Sequence, residues 1–238
     1  MVRVVDFGRA CSAKKEWQIP PGEGILLVLD GMLVRQTIVD DRCSVQLLGD
    51  GDPMHASDDA FSAFSRGRCQ TLVPGRIALL DAGFLRRVAP WPLISCVLAE
   101  RLVRQGRVLA ALALTSRMRR VDDRLRLLFA VLGERWGRVT PRGIQLRLPL
   151  SHELLGQLVG ARRPPVTVAL RALRAQGAIV PLGQGHWLLP GATQPADWLM
   201  GSTRSSAQAE QGLRAVVQLA GIGGTERECV TIHGHPGT

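Results

Sequence analysis

The sequence predicts an α+β chain in which a roll of short strands leads into one long helix and then a compact helical unit with a hairpin. Three observations carry this. From Gly24 onward, short apolar runs alternate with Gly, Asp and Pro. At Pro90-Trp-Pro that punctuation stops, and leucines begin to recur at helical spacing. From Pro149 the pattern tightens into a serine-capped helix, a glycine turn and a helix opened by two prolines.

Residues 1–24 read as irregular, closed by Pro20-Pro-Gly22. Gly24-Ile-Leu-Leu-Val-Leu predicts a strand, and the following Asp30-Gly31 predicts a hairpin turn into Met32-Leu-Val-Arg-Gln-Thr-Ile-Val. Asp40-Asp41 predicts a second turn, leading to Ser44-Val-Gln-Leu-Leu and then Gly49-Asp-Gly-Asp-Pro. A loop over Met54–Ser62, the strand Gln70-Thr-Leu-Val, a turn at Pro74-Gly75 and the strand Arg76-Ile-Ala-Leu-Leu complete the β-roll. The long helix follows. Leu98, Leu102, Gln105, Leu109 and Leu112 recur at intervals of four and three, the spacing of a coiled-coil seam, which predicts pairing of two chains. The alternative is a single amphipathic helix packed on its own roll.

Ser116–Arg120 forms a charged hinge, and a second helix is expected over Val121–Trp136 with Gly137 at its C-cap. Its apolar face carries Leu125, Leu127, Leu128, Val131 and Leu132. The Thr140-Pro-Arg-Gly143 turn leads into the alternating strand Ile144-Gln-Leu-Arg-Leu. The expected organisation is a β-roll at 1–89, a dimerisation helix at 90–116, a compact helix-and-hairpin unit at 117–190 and a disordered tail at 191–238, with one weak helix near 207–220.

Charge singles out one of these segments. The chain carries a net +10, and residues 117–190 alone carry +9, against +2 before them and −1 after. A concentrated positive field favours a polyanion, because each neutralised phosphate releases condensed counterions. No N-terminal segment reads as a signal peptide, and no run of about 18 apolar residues predicts a membrane span. Five scattered cysteines read as idle thiols in a reducing cytoplasm.

Within the basic segment, Ser151 is placed to cap a helix over His152–Val159 that buries Leu154, Leu155 and Leu158. Gly160 supplies the positive φ of a sharp inter-helix turn. Arg162-Arg-Pro-Pro165 opens the next helix, since proline is favoured where N–H groups lack intrahelical partners. That helix runs through Val166, Ala169, Leu170 and Leu173 to Gln176-Gly177. Ile179-Val-Pro-Leu, Gly183-Gln-Gly185 and His186-Trp-Leu-Leu then make a wing, with Trp187 in its core.

The stretch Leu150-Ser-His-Glu-Leu-Leu-Gly-Gln-Leu-Val-Gly-Ala-Arg-Arg-Pro-Pro-Val-Thr-Val-Ala-Leu-Arg-Ala-Leu-Arg resembles the winged helix-turn-helix of Crp/Fnr regulators. With the strand-rich first half and the long helix, the resemblance covers residues 24–190. It implies a cyclic-nucleotide-binding-like roll and a homodimer on an inverted-repeat site in double-stranded DNA, with RNA polymerase as a further partner. It also implies base reading by Arg163, whose guanidinium can bond guanine bidentately, and by Thr167 at a base edge or a thymine methyl. Ser151, Arg162 and Arg171 are implied as phosphate contacts. Two departures bear on the target sequence: Pro164 stands where the family often has glutamate, and Val168 replaces a later base-reading arginine.

The sensor half departs further. Gly49-Asp-Gly-Asp-Pro-Met-His-Ala-Ser lacks the glutamate of the family's phosphate-binding stretch, and neither Arg66 nor Arg68 sits in an Arg-Ser pair. Leu109 and Ala110 stand near where the family places adenine-bonding hydroxyls. No cofactor is therefore expected, and the effector is left open. A regulator gated by a small molecule is the first alternative. A nucleic-acid-processing enzyme with a winged accessory domain is the second, but it lacks a carboxylate cluster. Asp122 and Asp123 are adjacent on a helix, so their side chains diverge. Cys229, His233 and His235 fit no compact zinc spacing, and Cys11 stands alone rather than in an iron–sulfur cluster motif. The expectation is a cytoplasmic DNA-binding protein without catalysis.

Overall fold

The computed structural model describes residues 3–7, 16–17, 24–40, 42–55 and 65–191. The first sheet contains β1 (Arg3–Phe7), β2 (Glu16–Trp17), β3 (Ile25–Val39), β4 (Arg42–Leu48), β5 (Pro53–His55) and β6 (Ser65–Leu80). Its main path runs β1-β6-β3-β4, with β2 on β6 and β5 on β3, all antiparallel. Two further helices follow, α1 (Ala82–Val88) and the long α2 (Pro92–Ala113). A 3₁₀ turn at Leu114–Arg117 leads to α3 (Val121–Trp136), β7 (Gly137–Thr140) and β8 (Gly143–Leu146). The chain continues through α4 (His152–Val159), α5 (Arg163–Ala175), β9 (Val180–Gly183) and β10 (His186–Pro190). The second sheet has the order β7-β8-β10-β9.

Two expected turns are not turns. Asp30-Gly31 and Pro74-Gly75 lie inside single long strands, β3 and β6, which pair from Ile25↔Leu80 to Val39↔Ser65. The register shifts between Val28 and Leu33, so the two dipeptides form facing halves of one bulge. The glycines are needed because the backbones touch there. A Cβ on Gly75 would lie 2.0 Å from the Asp30 carbonyl oxygen, and Gly31 has φ +83. Across the bulge, Arg76 Nε donates to Asp30 Oδ2 at 2.6 Å. A glycine with positive φ serves a tight turn and a bulge equally well, so the local signal is the same. The Asp40 turn does form, with φ +50 at Asp40 and Val39 paired to Arg42.

Other differences are smaller. β1 and β2 lie in the segment read as irregular, and Met54 belongs to strand β5 rather than a loop. The helix α1 was not expected; Asp81 caps it, accepting from the Phe84 N–H at 2.6 Å. The 3₁₀ turn occupies part of the expected hinge. The expected tail, its weak helix, Cys11, Cys229 and the C-terminal histidines lie outside the described residues. Among the described residues no helix is long and apolar enough to cross a membrane.

The roll closes over Phe7, Leu26, Val28, Leu33, Leu48, Met54, Cys69, Ile77 and Leu79. A second, larger core joins both halves of the chain: Met32, Val34 and Leu47 of the roll share it with α3, α4, α5 and the wing. One polar contact reinforces that junction. Asp52 Oδ2 accepts from the Gly49 N–H at 2.8 Å, while Asp52 Oδ1 pairs with Arg135 Nη2 on α3, both side chains nearly fully buried. The Arg135 guanidinium lies 4.3 Å from the centroid of the Trp136 ring. That ring packs so closely on Gly49 that a Cβ there would meet Trp136 Nε1 at 2.6 Å. Gln36 Nε2 donates to Gln157 Oε1 at 3.3 Å, and Arg101 Nη1 to the Gly51 carbonyl at 3.0 Å. The Gly49–Asp52 turn thus grips helices α2 and α3.

Removing one partner of a buried ion pair strands the other charge in low dielectric, at a cost of about 3–5 kcal/mol. Urea unfolding should accordingly show Asp52→Ala or Arg135→Ala destabilised on that scale. The Asp52→Leu/Arg135→Met double variant should lose less than either single variant.

Candidate nucleic-acid interface

The interface is built outward from α3. Every residue from Leu125 to Gly133 is buried, so this helix is the axle of the second core. Phe129 meets Trp187 of β10 edge-on at 5.5 Å, which fixes the wing against α3 and places Trp187 in the core as expected. Gly137 ends α3, but not through positive φ: its backbone is extended, and a Cβ would lie 2.2 Å from the Gly133 carbonyl oxygen. Close approach is the reason for the glycine.

Two arginines of α3 position the helix pair. Arg124 Nε donates to the Met118 carbonyl at 2.8 Å, and its Nη1 to the Val159 and Gly160 carbonyls at 3.2 and 3.4 Å. A cation thereby meets the unpaired carbonyls at the C-terminus of α4, where the helix dipole favours it. Arg126 is buried, and its Nη2 donates to Gln176 Oε1 at the C-cap of α5. Burial pushes its guanidinium pKa down, opposed by Asp122 and Asp123. Burial, and then the neighbouring Asp122, push the Asp123 carboxyl up. Asp122 itself pairs with Arg120 at 2.8 Å. These two carboxylates serve the first turn of α3.

The helix-turn-helix geometry follows its local sequence. Ser151 caps α4, its Oγ accepting from the Leu154 N–H at 3.1 Å. Gly160 has φ +62, with its N–H on the Gln157 and Gly156 carbonyls. The Ala161 N–H follows on to the Gly156 carbonyl at 2.8 Å, and a Cβ on Gly156 would lie 2.6 Å from the Ala161 oxygen. α5 begins at Arg163 with prolines in its first turn and buries Val166, Ala169, Leu170 and Leu173. Those four positions define its inner face. On a 3.6-residue helix, Pro164, Val168, Arg171 and Ala175 then lie in one stripe opposite it.

Each residue expected at the interface has a definite place. Ser151, Arg162, Arg163 and Arg171 are exposed around the turn and along α5. Thr167 is half-buried; its hydroxyl lies 3.1 Å from the Arg163 carbonyl and 3.1 Å from His152 Nδ1. Of the thirteen arginines that give residues 117–190 their charge, Arg124, Arg126 and Arg135 are taken up in packing. The ten others, four of them at Arg162, Arg163, Arg171 and Arg174, are exposed. The internal arginines and His152 were missed from sequence, because a basic residue on a predicted helix reads first as a solvated one.

The seam residues of α2 divide. Leu102 and Leu109 are 47% and 43% exposed, whereas Leu98, Gln105 and Leu112 are half-buried. Leu112 packs on the chain's own core, and Gln105, Leu109 and Leu112 line a crevice against Leu128, Leu132 and Trp136. Leu93, Ile94, Val97 and Val103 of α2, and Trp91 at its N-cap, are also exposed.

Residues 107–189 match the Crp-like helix-turn-helix domain. The regulatory protein CysR of Synechococcus elongatus is 34% identical over 83 residues, covering 34% of this chain and 40% of that protein. The chain therefore aligns with less than half the length of that relative. The fold is similar to a CooA mutant from Carboxydothermus hydrogenoformans, with a TM-score of 0.65 at 20% identity over 85% of this chain and 88% of that one. FixK2 from Bradyrhizobium japonicum is similar at a TM-score of 0.61 and 16% identity, over 91% and 97%.

Because the turn needs the left-handed conformation at Gly160, Gly160→Ala should destabilise the chain by about 1 kcal/mol although its Cβ would meet no atom. Ser151→Ala should cost a further ~1 kcal/mol through the lost cap. Thermal unfolding of both variants checks this. The chain carries a Crp-like helix-turn-helix domain at residues 107–189, set on the fold that the Crp/Fnr regulators share.

Proposed function

We propose that this chain is a sequence-specific DNA-binding transcription regulator that binds an inverted-repeat site as a homodimer. The observation that carries the reading is the contrast within α5. One face is locked into the core by Val166, Leu170 and Leu173, while the opposite face, with Arg171, and its flank, with Arg163 and Arg174, stand exposed. A helix held this way presents side chains to a major groove at no cost in reordering. Arg163 is assigned to a guanine edge and Thr167 to an adjacent base; Ser151, Arg162 and Arg171 are assigned to phosphates. The exposed apolar residues of α2, with Leu102 and Leu109 among them, are assigned to pairing with a second copy, with Leu98, Gln105 and Leu112 behind them. Residues 1–89, 90–116, 117–190 and 191–238 are the proposed functional divisions. RNA polymerase is the proposed further partner, the cytoplasm the proposed compartment, and catalysis forms no part of the reading.

Selection of bound DNA from a random duplex library tests this directly and should enrich an inverted repeat with half-sites about one helical turn apart, roughly 34 Å. On the enriched site, Arg163→Ala should cost ~1–3 kcal/mol and relax preference at one symmetric base pair. Arg162→Ala should weaken all sequences alike and make the salt dependence shallower. Sedimentation should find a dimer, and charged residues at Leu102 and Leu109 should give monomers that hold half-sites weakly. A wild-type monomer binding a lone half-site at full strength would refute the dimer.

A further inference from the structure

We infer that the outward stripe of α5 reads thymine, by apolar contact of Val168 with its C5-methyl group, at a position about two base pairs from the one read by Arg163. The inference rests on the DNA-binding reading above and specifies its sequence chemistry. Val168 is 65% exposed in the middle of a helix whose other large aliphatic residues are buried. Pro164 precedes it by one turn, and Pro165 and Ala172 flank it, all exposed. None of these side chains can make a hydrogen bond, so Val168 and its immediate neighbours offer a base edge no donor or acceptor, and the next group in the stripe that can is Arg171.

Thr167, the polar residue next to Val168, is already committed. Its hydroxyl has one proton and two lone pairs. The contact with the Arg163 carbonyl takes the proton, since a carbonyl only accepts. With that proton spent, the contact with His152 runs from Nδ1–H to the hydroxyl oxygen in the imidazole tautomer that carries its proton on Nδ1. Thr167 therefore has no hydrogen to donate to a base; what it keeps is one lone pair and its methyl. The result is an apolar patch of Pro164 and Val168, with Arg171 one turn on in the same stripe and Arg162, Arg163 and Arg174 around it, all exposed.

Exposed aliphatic groups on a monomer's surface are ordinary when scattered. Here the patch is confined to one stripe and ringed by cations. Its partner must combine an apolar group with surrounding negative charge. In duplex DNA the only apolar group on a major-groove base edge is the thymine methyl, and phosphates surround it. Five residues of helix separate Val168 from Arg163, a rise of roughly 7.5 Å, which places the two contacts about two base pairs apart.

The test uses the full chain and the duplex enriched by selection, with each thymine replaced in turn by deoxyuridine, which pairs identically but lacks the methyl. Loss of one buried methyl should weaken binding about four-fold per half-site, and about fifteen-fold when both half-sites are changed. The effect should fall at one symmetric position about two base pairs from that relaxed by Arg163→Ala. Val168→Ala, which a helix accommodates readily, should abolish the difference between thymine and deoxyuridine there. Binding of the enriched duplex with no deoxyuridine effect, or an effect unchanged in Val168→Ala, would overturn the inference while leaving the DNA-binding reading intact. Failure to enrich any sequence would remove the DNA-binding reading itself, and this inference with it.

Discussion

Everything in the C-terminal half depends on burying α3 on all sides. A helix of sixteen residues with nine consecutive buried positions cannot lie on a surface; it needs neighbours around its whole circumference. α2, α4, α5 and the β7–β10 sheet supply those neighbours, and Met32, Val34 and Leu47 of the roll complete the enclosure. Once α3 is enclosed, the angle of α4 to α5 is no longer free. Arg124 holds the C-terminus of α4 and Arg126 the C-terminus of α5, so both helices of the motif are tied to the same rod. The exposed face of α5 is what remains after every inward face has been assigned.

This explains why the positive charge of the segment has two unlike uses. Arg124, Arg126 and Arg135 are held by carbonyls, an amide and a carboxylate; Arg124 alone reaches three carbonyls, as a forked guanidinium can. Lysine could not replace them geometrically. The arginines of α5 and its preceding turn are exposed and keep their charge available to a polyanion. Net charge alone merges these populations, and only the packing separates them.

The roll is bound to the same rod. Its Gly49–Asp52 turn meets α3 through a buried ion pair, a tryptophan laid on a glycine and a backbone carbonyl that accepts from Arg101 of α2. The orientation of α4 and α5 relative to the long helix is set by those contacts together with the Gln36–Gln157 bond.

The helical half was readable from the sequence because its signals are local. α2, α3 and α4 fall where Pro92, the Val121–Trp136 periodicity and the Ser151 cap place them, and Gly160 takes the left-handed turn that the motif requires. Ser151, Arg162, Arg163 and Arg171 are exposed. The roll was harder. A glycine with positive φ marks a turn or a bulge alike, and only the pairing of β3 with β6 over their full length decides that Asp30-Gly31 and Pro74-Gly75 are bulges. The internal arginines, the Thr167–His152 contact and the Asp52–Arg135 pair join residues 15 to 83 positions apart in the chain. No local propensity encodes such distances. They arise when helices and sheet pack, because a buried polar group must then find a partner among whatever groups the fold has brought beside it.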